Sequence, residues 1–189
     1  MERLSTRLLL GFSLIAVVAG SSLLWFGLKP GSSSVAPIVE STPAATSSAQ
    51  IAGVEGEKVR VSKVVDGDTI DLEDGRTVRF VGIDTPETVD PRRPVGCFGK
   101  QASNEVKRLL SGKVVILQKD VSDKDKYSRI LRYIYLPLEN GATLFVNDYL
   151  VREGFAKVYT YPPDVKFDVQ FREAERQAKE MKKGLWGKC

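Results

Sequence analysis

Side chains that could do chemistry are concentrated in three short stretches of this sequence. They are residues 66–69 (DGDT), 84–87 (DTPE) and 125–129 (DKYSR). The chain contains no histidine, which excludes Ser-His-Asp and Cys-His triads, histidine-bound zinc or iron, and acid–base catalysis by imidazole. Its two cysteines cannot form a four-thiolate zinc site. Any hydrolytic chemistry must therefore use carboxylates, arginine, lysine, tyrosine, hydroxyls or a metal bound through oxygen.

Asp68 and Asp84 are candidates for one metal site because a hairpin should bring them together. Asp74-Gly75 is a turn signal, so the strand that starts near Asp68 folds back beside the strand that ends at Asp84. Paired strands lie about 4.8 Å apart, and carboxylates that close repel each other unless a cation intervenes. Carboxylate, carbonyl and water oxygens suit Ca²⁺ or Mg²⁺ and not zinc. Glu87 follows closely and could orient or deprotonate a water near the metal.

Arg79 and Arg129 could complement these acids, because planar guanidinium groups donate paired hydrogen bonds to phosphate oxygens. A guanidinium does not readily release its proton, so charge stabilisation is favoured over acid catalysis. A flat strand would aim Arg79 and Asp84 at opposite faces, and a bulge at Gly82 would correct this. Two arginines facing acids and a cation suit a phosphate diester. Taken singly, the first stretch is also typical of a polar turn, the second of a helix cap or turn, and the third of a solvated loop.

Hydrophobic periodicity predicts the elements that must position these residues. Strands are expected at about 59–65, 69–73, 77–83 and 114–118, and at 130–136 and 142–146 on either side of the Asn140-Gly141 turn. Helices are expected at 98–110 and 147–153, with a final amphipathic helix whose inner stripe runs from Phe167 to Met181. About five strands with helices between and after them favour a β-rich α+β fold. The pattern is typical of a closed or partly closed OB-type barrel.

Residues 1–28 predict a signal peptide or a single transmembrane anchor. Residues 8–28 carry no charge, and a helix of that length spans roughly 30 Å, the thickness of a bilayer core. Small residues at 17–19 could form a cleavage site, whereas the apolar run beyond them favours an uncleaved anchor; a buried core helix is the third interpretation. Arg3 and Arg7 would keep the N-terminus inside and place the rest of the chain outside.

Residues 29–56 predict a flexible, disordered linker, because Ser, Ala, Pro, Thr and Gly dominate and no apolar period is present. The remaining residues, 57–189, form the expected folded domain. Basic and acidic side chains are equal in number before residue 57, so the net charge of +4 belongs entirely to this domain. A mildly basic domain suits a polyanionic partner whose binding weakens with salt.

Three strings in this order resemble the staphylococcal-nuclease-like (thermonuclease) family. They are VVDGDT at 64–69, RFVGIDTPET at 79–88 and DKYSR at 125–129, and the likeness covers essentially 57–189. The resemblance implies an OB-fold five-stranded barrel with about three helices. It implies a monomeric Ca²⁺-dependent nuclease that hydrolyses phosphodiester bonds of DNA and RNA. It further implies attack by a metal-associated water and products with 3′-phosphate ends.

The resemblance also implies roles for individual residues. The implied metal ligands are the carboxylates of Asp68 and Asp84 and the backbone carbonyl of Thr85. The implied catalytic residues are Arg79, Glu87 and Arg129. The implied substrate-binding residues are Lys126 and Tyr127, where an aromatic ring can stack on a base. Glu87 would act either by removing a proton or by ordering water and the loop around it.

Cys97 and Cys189 lie outside these strings. An even pair of cysteines in a protein outside the cell suggests a disulfide. The alternative is two unpaired thiols, because the sequence does not fix the separation of their Cα atoms.

Two main functions compete for this sequence. The first is a calcium-dependent nuclease that acts preferentially on single-stranded nucleic acid outside the cytoplasmic membrane, either anchored or secreted after cleavage. The second is an OB-fold module, catalytically weak and tethered outside the membrane, that binds single strands without cutting them. Binding alone does not need paired acids facing a polyanion, so the acidic residues favour the enzyme. A tethered interaction protein is a third possibility, which only the linker supports.

Overall fold

The structure, a computed structural model, describes residues 54–189. The expected signal or anchor segment lies outside these residues, as does the linker up to residue 53. Within the described range, no helix has the length and apolar character needed to cross a bilayer.

Strands and helices alternate along the described residues. The strands are β1 (Glu57–Asp66), β2 (Thr69–Leu72), β3 (Thr77–Phe80), β4 (Gly82–Asp84), β5 (Val114–Gln118), β6 (Ile130–Pro137), β7 (Thr143–Phe145) and β8 (Lys157–Tyr159). The helices are α1 (Gly99–Leu110), α2 (Val146–Arg152), α3 (Asp168–Glu180) and the short α4 (Leu185–Lys188).

Five strands close into a barrel in the order β3-β2-β1-β5-β6. Neighbours in this order are antiparallel, and the barrel closes where β3 runs parallel to β6, with Val78 opposite Ile130. Two register shifts bend the ten-residue β1, which pairs with β2 along one part and with β5 along another. The predicted five-stranded OB-type barrel with three main helices is therefore confirmed.

The barrel interior and the inner faces of the helices form one apolar core. The largest fully buried side chains include Tyr133, Phe80, Phe171, Ile70, Ile83, Leu110 and Ile134. Each such side chain stabilises the fold by roughly 1.5–3 kcal/mol when it leaves water. The expected stripe on α1 is buried, but Met181, expected on the inner stripe of α3, is exposed because that helix ends at Glu180.

The strand expected at 77–83 is two strands, because the backbone breaks at Gly82. This residue has φ +78°, and a Cβ there would lie 2.6 Å from Cε2 of Phe171, so only glycine fits. After the break, β4 leaves the barrel and pairs with β8. Where the sequence predicted a bulge at Gly82, the chain instead passes from the barrel to a second sheet. Three residues are too few to show a period, so the sequence did not predict β8.

A disulfide joins Cys97 to Cys189, with their Cα atoms 5.9 Å apart. It ties the last residue of the chain to the segment between β4 and α1. The same C-terminal segment docks where the N–H of Leu185 donates to the carbonyl of Gly154. A Cβ on Gly184 would lie 2.2 Å from that carbonyl oxygen, so glycine is required for the contact.

Reduction of the disulfide should lower the free energy of unfolding by up to about 4 kcal/mol, because the bond closes a long loop in the unfolded chain. Urea unfolding of the oxidised and reduced protein measures the difference. The double variant Cys97→Ser/Cys189→Ser should match the reduced protein and should not respond to reductant. Alkylation of both cysteines without prior reduction would show that the bond does not form.

Candidate active site

An open cleft of about 1290 Å³ runs across one side of the barrel. It is walled by the end of β1, by β3 and β4, and by the loops after β4 and before β6. Apart from the cysteines, all the residues singled out in the sequence line it, namely Asp68, Arg79, Asp84, Thr85, Glu87, Lys126, Tyr127 and Arg129.

Arg79 lies between the carboxylates of Asp68 and Asp84. Its Nη1 is 2.8 Å from Oδ2 of Asp68, and its Nη2 is 2.7 Å from Oδ1 of Asp84. The Arg79 side chain is only 14% exposed, whereas that of Asp84 is 53% exposed. The Nη1 contact is an ion pair without hydrogen-bond alignment, and this buried nitrogen has no hydrogen-bond partner among the described residues. Arg79 therefore keeps donor capacity for another acceptor.

Asp68 also fixes the segment that follows β4. Its Oδ2 accepts hydrogen bonds from the backbone N–H of Thr85 at 2.8 Å and from the Thr85 hydroxyl at 2.9 Å. Thr85 packs so closely on the turn after β1 that a Cβ on Gly67 would lie 2.7 Å from its Oγ1. These contacts hold Thr85 beside the two acids, and the hairpin that the sequence predicted brings Asp68 and Asp84 to the same cleft.

The acids remain electrostatically strained although Arg79 lies between them. Burial raises the pKa of Asp84, and the charge of Asp68 raises it further, against the lowering effect of Arg79. Two carboxylates share one guanidinium, so an additional cation would relieve them. The available donors are carboxylate and backbone carbonyl oxygens, which fit an alkaline-earth ion that keeps several waters. No cluster of three or more His, Cys, Asp or Glu side chains converges in residues 54–189.

Glu87 organises the loop that follows it. Its Oε1 accepts hydrogen bonds from the backbone N–H groups of Thr88 (3.0 Å), Val89 (2.8 Å) and Asp90 (3.1 Å). These bonds, led by that of Val89, lower the pKa of Glu87. The carboxylate is therefore ionised at neutral pH and is a weak base. Of the two roles implied for Glu87, this geometry favours ordering the loop over removing a proton.

Asp66 anchors the same loop, a role that sequence reasoning missed. Its Oδ1 accepts hydrogen bonds from the Thr88 hydroxyl at 2.5 Å and from the N–H of Gly67 at 2.8 Å. Burial raises the pKa of Asp66, although these hydrogen bonds partly oppose the rise. In the sequence, only the position of Asp66 two residues before Asp68 pointed to a role at the site. Its partner Thr88 lies 22 residues away and could not be identified from the sequence.

The opposite wall of the cleft is a turn built on Asp125. Its Oδ1 accepts the backbone N–H groups of Tyr127 (2.9 Å) and Arg129 (3.0 Å). Its Oδ2 pairs with Nε (2.7 Å) and Nη2 (2.6 Å) of Arg129. The turn presents the ring of Tyr127, 68% exposed, with the Lys126 ammonium 5.1 Å and the Arg129 guanidinium 5.4 Å from its centroid.

The structure thus connects the predicted site residues in two groups. Asp68, Arg79, Asp84 and Thr85 contact one another directly. Lys126, Tyr127 and Arg129 form the facing wall, and within the described residues Arg129 pairs with Asp125 instead of with the acids of the first group.

Comparison with known proteins gives consistent matches. A family model described as "Staphylococcal nuclease homologue" matches residues 77–188. Thermonuclease of Staphylococcus hyicus is 39% identical over 142 residues, which cover 74% of this chain and 81% of the relative. Thermonuclease of Staphylococcus intermedius is 41% identical over 136 residues, covering 70% and 78%. Endonuclease YncB of Bacillus subtilis (strain 168) is 38% identical over 135 residues, covering 69% and 62%.

Replacement of Arg79 by methionine should destabilise the protein by about 1–3 kcal/mol at neutral pH, because the buried carboxylate of Asp68 and the half-exposed carboxylate of Asp84 lose their counterion. The pKa of Asp84, which is already raised in the folded protein, should then rise further. An acid with a raised folded pKa destabilises increasingly as pH rises, so the deficit should be larger near pH 8 than near pH 5. Urea unfolding of the variant and the wild type at both pH values measures this loss in the free energy of unfolding.

Because the variant lacks the charge of Arg79, added calcium should stabilise it more than the wild type and so narrow this difference in the free energy of unfolding. Arg108→Met is the matched control, since Arg108 pairs with Glu105 in an exposed position on α1. A deficit in Arg79→Met that is equal at both pH values would contradict the proposed charge balance.

Replacement of Thr88 by valine should loosen the loop after Glu87, because Asp66 loses its hydroxyl partner. We expect a loss of about 1–2 kcal/mol in the free energy of unfolding. The amides of Val89 and Asp90, which donate to Glu87, should exchange with solvent faster in hydrogen-exchange measurements. Thr88→Ser keeps the hydroxyl and should behave as the wild type; unchanged exchange in Thr88→Val would show that Asp66 does not anchor the loop.

Proposed function

The chain belongs to the staphylococcal nuclease family, and we propose that it is a Ca²⁺-dependent nuclease that hydrolyses phosphodiester bonds of DNA and RNA. The products would carry 3′-phosphate ends. The observation that carries this proposal is the bridge that Arg79 makes between Asp68 and Asp84 within a cleft that Arg129 also lines. Such a site combines a cation-attracting acid pair with donors for a phosphate.

Asp68 and Asp84, with the backbone carbonyl of Thr85, would hold the calcium ion. When bound, calcium supplies positive charge that polarises the phosphoryl group and lowers the pKa of water at the site. The hydrogen bonds from Thr85 to Asp68 keep this donor set in place. Preorganised ligands of this kind need little rearrangement during the reaction.

Arg79 and Arg129 would bind the oxygens of the scissile phosphate from two sides. Arg79 lines the cleft and its side chain is 14% exposed, so its guanidinium charge would act on a phosphate oxygen bound there. Negative charge grows on these oxygens as water attacks phosphorus, so the two guanidinium groups would stabilise the transition state more than the substrate. Arg129 would exchange part of its pairing with Asp125 for the phosphate.

Glu87 would order the attacking water and its own loop. Its lowered pKa makes it a weak proton acceptor, but its negative charge can orient a water by accepting a hydrogen bond. The three backbone N–H groups are all bonded to Oε1, and Oε2 has no hydrogen bond among the described residues. This second oxygen is the one that would contact water.

Lys126 and Tyr127 would bind the nucleotide beside the scissile phosphate. A ring as exposed as that of Tyr127 can stack on a base, and the nearby ammonium of Lys126 can contact the backbone. Stacking requires an unpaired base, which supports a preference for single-stranded or frayed substrates. These features also support the second candidate, a binding module that does not cut.

We also propose that the domain, residues 57–189, works as a monomer outside the cytoplasmic membrane. The apolar segment within residues 1–28 would direct it there as an anchor or as a cleaved signal, and residues 29–56 would act as the tether. The bond between Cys97 and Cys189 supports this location, since disulfides persist in oxidising compartments.

Hydrolysis of defined oligonucleotides with calcium and with chelator tests the proposed function. We expect cleavage only with calcium, faster cleavage of single strands than of duplexes, and 3′-phosphate ends. Arg129→Ala should lower kcat by several orders of magnitude, because each tenfold loss corresponds to about 1.4 kcal/mol of transition-state stabilisation.

Arg108→Ala, at an exposed position outside the cleft, is the control and should retain full activity. Binding of single strands without any cleavage would favour the binding module instead. A loss below about tenfold in Arg129→Ala would contradict the role assigned to this arginine.

A further inference from the structure

Two arginines at the rim of the cleft have no role in the mechanism above. Arg92 and Arg93 lie on the loop between β4 and α1, and both line the cleft. Their side chains are 86% and 72% exposed, far more than that of Arg79. They are therefore too open to water for a role at the scissile phosphate, but they are accessible to a longer ligand.

The loop that carries them is organised. Asp90 closes a turn by accepting the N–H of Arg92 on its Oδ1 at 3.0 Å and that of Arg93 on its carbonyl at 3.1 Å. Pro91 and Pro94 flank the pair and restrict the backbone on both sides. The root of the loop is held by the hydrogen bonds to Glu87 and Asp66. The two guanidinium groups thus project from a fixed turn.

The opposite rim carries the exposed ring of Tyr127 and the basic side chains of Lys124 and Lys126, which also line the cleft. Both rims therefore belong to the lining of one cleft. Asp90 is the carboxylate that pairs with both Arg92 and Arg93, so the pair keeps an excess positive charge. An exposed ion pair of this kind exchanges readily for another anion.

We propose that Arg92 and Arg93 bind backbone phosphates of the substrate strand outside the bond that is cleaved. This inference rests on the proposed nuclease function and extends the site from one phosphodiester to a longer stretch of strand. Phosphates are the matching ligand because guanidinium groups bind them with paired hydrogen bonds, and because the rim continues directly into the cleft. The pair makes the enzyme select for strand length.

The double variant Arg92→Ala/Arg93→Ala tests this with two substrates. One is a dinucleotide with a single phosphodiester, and the other is a single strand of about twelve nucleotides, within the range that one OB fold covers. The variant should raise KM for the longer strand about tenfold and leave its kcat within about twofold. Kinetics on the dinucleotide should not change. Arg92→Lys/Arg93→Lys should keep most of the affinity for the longer strand.

Salt dependence gives a second readout. Each phosphate contact with a single strand contributes roughly 0.7 to the slope of log affinity against log salt, so the alanine variant should lose about 1.4 from this slope. The matched control is Arg172→Ala/Arg176→Ala on α3, where both arginines are exposed, paired with acids and outside the cleft lining. That control should leave KM for the longer strand unchanged.

Two kinetic results would overturn the inference: an equal loss on both substrates, and an unchanged KM for the longer strand. A third result would show that the two arginines bind an anionic lipid surface instead. In that case the wild type would bind phosphatidylserine vesicles and the alanine variant would not, while both would bind the longer strand equally. If the wild type cleaves neither substrate with calcium, the proposed function fails by itself. The affinity for the longer strand is then compared between the alanine variant and the wild type. Equal affinities would overturn the proposal that the two arginines bind backbone phosphates.

Discussion

The site depends on a balance of charge between Arg79 and the acids on either side of it. One guanidinium group contacts two carboxylates, and the pKa of Asp84 is still raised because burial and the second acid outweigh the arginine. The pocket is thus stable enough to form but is left with excess negative charge. A divalent cation would relieve this excess. In the proposed function, metal binding and substrate binding therefore both depend on the arginine that also holds the two acids in the fold.

The fold has to bring these groups together from different strands. Arg79 lies on β3, which is held between β2 and β6, so its position is fixed from both sides. Asp84 reaches it because the chain turns at Gly82 and pairs with β8 outside the barrel. Two glycines allow the close approaches around the acids, since Gly82 faces Phe171 and Gly67 faces Thr85 at distances that no Cβ could occupy.

Features that depend on local patterns could be predicted from the sequence. The hairpin at Asp74-Gly75 has a turn signal between alternating segments, so the pairing that brings Arg79 beside Thr69, and thus near Asp68, followed from local rules. The change of sheet at Gly82 did not, because the partner strand β8 has only three residues and lies far along the chain. The roles of Asp66 and Asp125 also depend on side-chain partners, which become visible only when the loops are folded.

These two acids, together with Glu87, explain how a chain with a net charge of only +4 can present basic side chains at the rims of an acidic site. Each carboxylate accepts hydrogen bonds from backbone N–H groups of a loop and so stabilises the shape of that loop. The cations at the loop tips, among them Arg92 and Lys126, are then left facing the cleft. Amino-acid composition alone underestimates the positive charge of such a surface. It counts the acids that stabilise a loop equally with the basic side chains that the loop exposes. The position of each charge relative to the backbone, more than its number, therefore determines where a polyanion can bind.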